Sequence, residues 1–281
     1  MKFTKMEGLG NDYVYVCTLN QEIADPSALA VKVSDRHFGI GSDGLILIKP
    51  ADEADFEMEM YNADGSKAQM CGNGIRCVGK YVYDHGLTNK TRLHILTGSG
   101  IKVLDLTVKN GKVSEVKVNM GHPVFMPGLI PVKSPLSTII GEEIEAAGQK
   151  WSMTCLSMGN PHCVVPVEDP EVLDLEKIGP AFENHELFPE KINTEFIKVL
   201  DKNNIRMRVW ERGSGETMAC GTGACAAACA AMMLGLCGRS VDVKLNGGTL
   251  RIEWDMVSDI VYMTGPAVTV FEGEYHLPGE E

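Results

Sequence analysis

Two stretches of the chain carry the same sequence of apolar and polar positions. Leu45-Ile46-Leu47-Ile48 is a continuous apolar run, followed by Phe56, Met58 and Met60 alternating with acidic residues. Further on, Phe196-Ile197-Lys198-Val199 is followed by Met207 and Val209 in the same style. Short apolar runs and period-two alternation predict strands. A Gly-rich turn and then a helix follow in each set. The first helix is expected from about Gly74 to His85, before Gly86. The second is expected from about Thr222 to Leu234, through an Ala-, Cys- and Met-rich stretch, with Gly235 or Gly238 to end it. Two hairpin-like strands close each set. The first hairpin should turn at Asn110-Gly111, a favoured two-residue turn, and the second more tightly near Ser258-Asp259.

The two sets are copies in one register. At an offset of 149 residues, Gly10-Asn11 falls on Gly159-Asn160, Tyr61 on Trp210, Cys71-Gly72-Asn73-Gly74 on Cys220-Gly221-Thr222-Gly223, and Gly86-Leu87 on Gly235-Leu236. The register holds without gaps for roughly ninety residues and then shortens to 144, where Gly121 meets Gly265. A repeat of this length predicts two domains of one design. The boundaries expected are 1–121 and 122–265, with 266–281 returning to the first domain. The functional site is expected in the cleft between them, a common place for ligand sites.

A length of 281 residues suits two domains, and an apolar share of 44% suits packed cores. No apolar run approaches the roughly 18 residues a membrane helix needs, and the opening Met1–Val16 lacks a secretory apolar region. A cytoplasmic protein is expected (or a stromal one, had a plastid transit peptide been removed). Net charge is −12 with no basic block, which argues against nucleic acid and membrane partners. The nine cysteines, an odd number, do not read as a secreted disulfide framework.

Cys71 and Cys220 stand apart because each immediately precedes a helix at equivalent places in the repeat. Backbone N–H groups there lack intrahelical partners and the helix dipole is positive, so the position binds anions and lowers a thiol's pKa. Gly72, Gly74, Gly221 and Gly223 let a ligand approach the backbone. Two such sites facing one carbon from opposite sides could invert it, one thiolate removing a proton while the opposite thiol supplies one. No Schiff-base lysine motif is evident, so no cofactor sink is expected, and preorganised N–H donors would stabilise the carbanion. Cys77, Cys225, Cys229 and Cys237 read as structural. No paired C-x-x-C motif or clean ligand quartet suggests a metal. Gly39-x-Gly41-x-x-Gly44 matches a dinucleotide fingerprint but leads into a strand-like run instead of a helix, so it reads as a turn.

Across its whole length the chain resembles the diaminopimelate epimerase family. The matching segments are Gly8-Leu9-Gly10-Asn11-Asp12, Tyr61-Asn62-Ala63-Asp64-Gly65-Ser66, Met70-Cys71-Gly72-Asn73-Gly74, Met158-Gly159-Asn160-Pro161-His162, Trp210-Glu211-Arg212-Gly213 and Ala219-Cys220-Gly221-Thr222-Gly223-Ala224. The resemblance implies an α+β fold of two pseudo-symmetric domains, each a strongly curved, mostly antiparallel sheet around a central helix. It implies interconversion of LL- and meso-2,6-diaminopimelate without pyridoxal phosphate, in lysine and peptidoglycan precursor synthesis, and points to a homodimer. It makes Cys71 and Cys220 the acid–base pair. The reacting carboxylate would lie on the backbone at Gly72-Asn73 and Gly221-Thr222, and Asn11, Asn62, Asn160, Asn193, Glu211 and Arg212 would bind the substrate. His162 and Glu211 would tune the thiols. Gly44 stands where some members carry glutamine, so no side-chain contact is expected there. The nearest rival, a proline or hydroxyproline racemase, typically shows Cys-Gly-His and Asp-Arg-Ser-Pro-Cys-Gly-Thr-Gly, whereas this chain has Asn73 and Glu211-Arg212-Gly213. A redox or binding module is the alternative of another class, and it predicts no exchange at a substrate α carbon.

Overall fold

The computed structural model describes residues 1–276. In chain order the elements are β1 (Lys2–Gly8), β2 (Asn11–Cys17), α1 (Pro26–Ser34), β3 (Gly44–Lys49), β4 (Phe56–Asn62), β5 (Lys67–Ala68), α2 (Gly72–Asp84), β6 (Arg92–Thr97), β7 (Gly100–Lys109) and β8 (Lys112–Gly121). They continue with β9 (Ile140–Ala146), β10 (Gln149–Ser157), β11 (Pro161–Pro166), α3 (Leu175–Glu183), β12 (Asn193–Asp201), β13 (Asn204–Glu211), β14 (Gly215–Glu216), α4 (Gly221–Met233), β15 (Ser240–Leu245), β16 (Gly248–Asp255), β17 (Ile260–Gly265) and β18 (Val268–Glu274). The chain forms two compact units, one of Met1–Val118 with the stretch beginning at Gly265, the other of Asn119–Thr264. Residues 277–281 of the C-terminal segment lie outside the described residues.

In the first unit the strands lie in the order β18-β1-β2-β3-β4-β6-β7-β8, with the short β5 beside β4. All neighbours are antiparallel except β2–β3 and β4–β6. A parallel step needs a long crossover, and these two contain α1 and α2. The second unit runs β9-β10-β11-β12-β13-β15-β16-β17, with β14 beside β13. Its parallel steps, β11–β12 and β13–β15, contain α3 and α4. The duplication therefore extends from residue register to strand order and direction.

Each unit packs its strands on a central helix. In α4, Gly221 and Gly223–Met232 are buried all round, as an apolar Ala-, Cys- and Met-rich helix requires. It packs on β10, β11, β12, β13, β15 and β16, so one helix meets most of its own sheet. In the first unit α2 likewise meets β1, β2 and β7. Strands β3 and β12, at equivalent places in the two units, each begin with five consecutive buried residues. A second core layer in the second unit has Phe182 edge-on to Phe196, with ring centroids 5.3 Å apart. Burying each such ring contributes about 2–3 kcal/mol.

Two local expectations change. The hairpin between β16 and β17 is wider than the first, with Met256–Asp259 between its strands against the two residues Asn110 and Gly111. The shorter register comes from the strands, which have 8 and 6 residues in β16 and β17 against 10 each in β7 and β8. At the first hairpin both Asn110 and Gly111 have positive φ, 53° and 76°, as a tight hairpin turn of this kind demands. The Gly39–Gly44 motif is a turn running into β3, as expected. Among the described residues no helix is long and apolar enough to cross a membrane.

Candidate active site

Both cysteines are helix N-caps. Cys71 (φ −130°, ψ 120°) and Cys220 (φ −116°, ψ 113°) are extended, and each leads into a helix that starts at the next residue. Each sulfur accepts a hydrogen bond at 3.3 Å from a backbone N–H of the first turn, Gly74 N for Cys71 and Gly223 N for Cys220. Sulfur thus takes the place a Ser or Asp oxygen usually fills, inside the positive end of the helix.

In the first unit, Cys71 Sγ donates to Asn11 Oδ1 at 3.2 Å. The Asn11 amide is held by its other end, since Nδ2 donates to Asp43 Oδ2 at 2.7 Å. Asp43 also accepts from Asp12 N and from Arg36 Nη2, each at 3.0 Å. Asn73 is buried in the first turn, where its Oδ1 accepts from Arg76 Nη1 at 3.0 Å. Arg76, itself fully buried, also donates to Gly72 O at 3.2 Å and to Pro266 O at 3.0 Å, so one guanidinium fixes the turn. Asn62, at the end of β4, donates to Ser66 Oγ at 3.0 Å. α1 steadies this loop through Ser27 Oγ, which donates to Gly65 O at 2.7 Å. Tyr13 was not singled out from the sequence. Burial and then the neighbouring Cys71 push its hydroxyl well above the usual phenol range.

In the second unit, Cys220 is 5% exposed and its sulfur lies 3.5 Å from Thr222 Oγ1. Burial, then the carboxylates of Glu211 and Glu195, push this thiol well above its ordinary value, against the pull of Thr222 and the Gly223 N–H. This corrects the expectation of a lowered pKa at Cys220: the helix end acts in the expected direction, but desolvation is larger. His162, fully buried, has Nε2 3.0 Å from Asn160 Oδ1 and Nδ1 2.7 Å from Glu195 Oε1. Glu195 was also not singled out; the signal was a carboxylate inside the apolar run of β12. Asn193 donates through Nδ2 to Pro161 O at 2.7 Å and accepts from Arg212 N at 2.9 Å, tying β11 to the 211–213 loop. That loop is gripped from α3, where Glu183 accepts from Trp210 Nε1 at 2.8 Å and from Gly213 N at 3.1 Å. Glu211 accepts from Thr217 Oγ1. Arg212, exposed, donates to Glu190 O at 3.0 Å.

The sequence-expected residues thus form two clusters. Asn11, Cys71, Gly72 and Asn73 gather in the first unit, with Asn62 at the neighbouring end of β4. Asn160 and His162 are joined by a hydrogen bond, Cys220 and Thr222 share the α4 start, and Asn193 bonds the Arg212 backbone beside Glu211. Each cluster offers an N-capping thiol beside the backbone N–H groups of a helix start and amide side chains, which suits a carboxylate with an acidic carbon–hydrogen bond next to it.

The family model described as diaminopimelate epimerase matches residues 3–126 and 154–270. The chain is 57% identical over 277 residues to a diaminopimelate epimerase of Methanococcus maripaludis, covering 99% of this chain and 100% of that one. It is 56% identical over 277 residues to that of Acetivibrio thermocellus, covering 99% of each. Among solved structures, a hydroxyproline epimerase of Agrobacterium vitis shares the fold at TM-score 0.67 and 13% identity, over 97% of this chain and 90% of that one. A phenazine biosynthesis protein of Bacillus anthracis does so at TM-score 0.70 and 19% identity, over 98% of each. On the family match over most of its length and on these identities, the chain belongs to the diaminopimelate epimerase family.

Proposed function

We propose that this chain epimerises one α carbon of 2,6-diaminopimelate, converting LL and meso isomers into one another for lysine and peptidoglycan precursor synthesis, with Cys71 and Cys220 as its two acid–base groups. One sulfur, as thiolate, takes the α proton. The electron pair left on carbon is stabilised through the substrate carboxylate by backbone N–H groups at Gly72-Asn73 and Gly221-Thr222. The other sulfur, as thiol, returns a proton to the opposite face. The two cysteines end with exchanged protonation states, and the reverse reaction restores them. Asn11, Asn62, Asn160, Asn193, Glu211 and Arg212 bind the substrate's ammonium and carboxylate groups, a division that suits a ligand carrying two of each sign. Thr222 and His162 act at the Cys220 end. No step in this scheme calls on a metal or an organic cofactor.

The observation that supports the reading best is the equivalence of the two thiols. Each caps its central helix with the same 3.3 Å contact, at the same topological point of a duplicated unit. A buried structural cysteine has no need of that match. The test is incubation in D2O with LL-diaminopimelate and, separately, with L-proline, following the α proton by NMR. Loss of the diaminopimelate signal with appearance of the meso isomer is expected, and proline should keep its proton. Exchange of proline alone, or of neither, would overturn the reading. The same reading places the enzyme in the cytoplasm as a homodimer, and sedimentation of the purified chain checks the oligomeric state.

A further inference from the structure

The two halves of the duplication are not chemically equal behind their cysteines. Ile46 of β3 and Glu195 of β12 occupy the same place in the repeat, 149 residues apart. They also occupy the same place in space. A Cβ added at Gly74 would lie 2.7 Å from Ile46 Cδ1, and one added at Gly223 would lie 2.7 Å from Glu195 Oε1. Where the first unit sets an isoleucine methyl behind the helix start, the second sets a carboxyl group. Glu195 is fully buried, and its Oε2 has no hydrogen-bond partner. Burying a carboxyl at a position that an isoleucine fills in the sister unit is costly, and such a cost is characteristic of a working group.

The surroundings define what it does. Glu195 Oε1 faces His162 Nδ1 from β11 at 2.7 Å. The charge-bearing groups around it are His162 and Cys163 on β11, Glu211 at the end of β13, and Cys220 at the start of α4. His162 Nε2 lies 3.0 Å from the Asn160 amide oxygen, an acceptor that favours the tautomer with hydrogen on Nε2. The short contact between Nδ1 and Oε1 then contains one more proton, on the ring or on the carboxyl.

Resting on the two-base reading above, we propose that Glu195 is a positioning residue for Cys220: with His162 it forms a buried pair that holds one proton, fixes the imidazole, and through its charge state sets when the Cys220 thiol ionises. With the proton in place the pair is neutral, and Cys220 becomes thiolate against less opposition. With the proton lost, the carboxylate beside Cys220 opposes a second negative charge and keeps that sulfur as the acid. Burial raises the Glu195 carboxyl above its usual range despite the pull of His162, which agrees with a proton retained there. At the equivalent place behind Cys71 stands Ile46, which carries no ionisable group.

The test uses the full chain and Glu195→Gln, which keeps the shape but removes the acid. Removing the charge should move the alkylation of Cys220 by iodoacetamide, followed by peptide mass mapping against pH, to lower pH, while that of Cys71 stays where it was. At neutral pH, kcat in both directions should fall about 10- to 100-fold with KM held within about threefold, the pattern of lost positioning. Unchanged kcat with an unchanged Cys220 profile would overturn the proposal. So would a fall in kcat with the Cys220 profile unmoved, because that is what a merely structural residue gives. Should Glu195→Gln not fold, nitrogen-15 spectra of the histidine ring in the unaltered protein decide: a single His162 state with Nδ1 strongly hydrogen-bonded is expected, and tautomer exchange like that of free imidazole refutes the pair. Failure of the broader reading looks different, since the unaltered protein would then leave the diaminopimelate α proton in place.

Discussion

Single side chains carry opposite pH signatures here, and each is fixed by what surrounds it. Cys220 is raised by burial and by two carboxylates, so in the ligand-free protein it reacts as thiolate only as the pH climbs. Cys71 is half-buried, whereas Cys77, six residues further along in α2, is fully buried and pushed up to about 11 by that burial. Iodoacetamide at neutral pH should therefore label Cys71 first, Cys220 more slowly and Cys77 last, as read by time-resolved peptide mapping. Labelling of Cys77 ahead of Cys71 would contradict the assigned environments. Glu59 shows the reverse sign. Burial pushes its carboxyl up, but hydrogen bonds from Lys49, Lys67 and Tyr61 outweigh that and hold it at about 2, below its ordinary 4.5. A carboxylate depressed on folding stabilises the native state above its unfolded pKa and loses that contribution as the pH falls from 4.5 toward 2. Glu59→Gln should cost about 1–3 kcal/mol at pH 7, a difference that shrinks in urea titrations at low pH.

At the scale of elements, the first turns of α2 and α4 are the parts most constrained by their neighbours. Gly74→Ala would press on the far end of Ile46 and on Met58, both able to shift. Gly223→Ala would press on Glu195 Oε1 at 2.7 Å and on Cys220 Sγ at 3.1 Å, where the carboxyl is already committed to His162. Turnover should accordingly fall further in Gly223→Ala than in Gly74→Ala, and assays of the two purified variants beside their melting curves check this. Helices α2 and α4 and strands β3, β4, β12 and β13 were legible because apolar period and glycine punctuation coincide there. α1 and α3 were not read from the sequence: each has 9 residues, and α3 contains Pro180, so neither shows a clean helical period. Their role is tertiary, pinning the loops after β4 and β13. Cys71 and Cys220 were legible through the repeat, whereas Glu195 was not, because one carboxylate just ahead of the run Phe196-Ile197-Lys198-Val199 looks like an ordinary strand position. The raised Cys220 thiol could not be read either, since burial depends on α4 being enclosed by its whole sheet.

At the scale of the molecule, duplication gives each unit one capping thiol, and this bears on how inversion could be dissected. If one sulfur serves each face of the α carbon, deleting either must stop inversion while leaving half of the proton chemistry. In Cys220→Ala the remaining Cys71 can still remove and return the α proton on its own face; in Cys71→Ala the same holds for Cys220. Epimerisation should drop by about 10³-fold or more in each variant, since an entire general acid or base is lost. Both should keep near-native melting temperatures, because each helix keeps its other first-turn contacts. In D2O each variant should exchange the α hydrogen of one stereoisomer without converting it, and the two variants should choose opposite isomers. Which variant prefers the LL centre assigns the faces. Exchange of the same isomer by both variants would put the two sulfurs on a common side of the carbon, and a two-base inversion could not then operate.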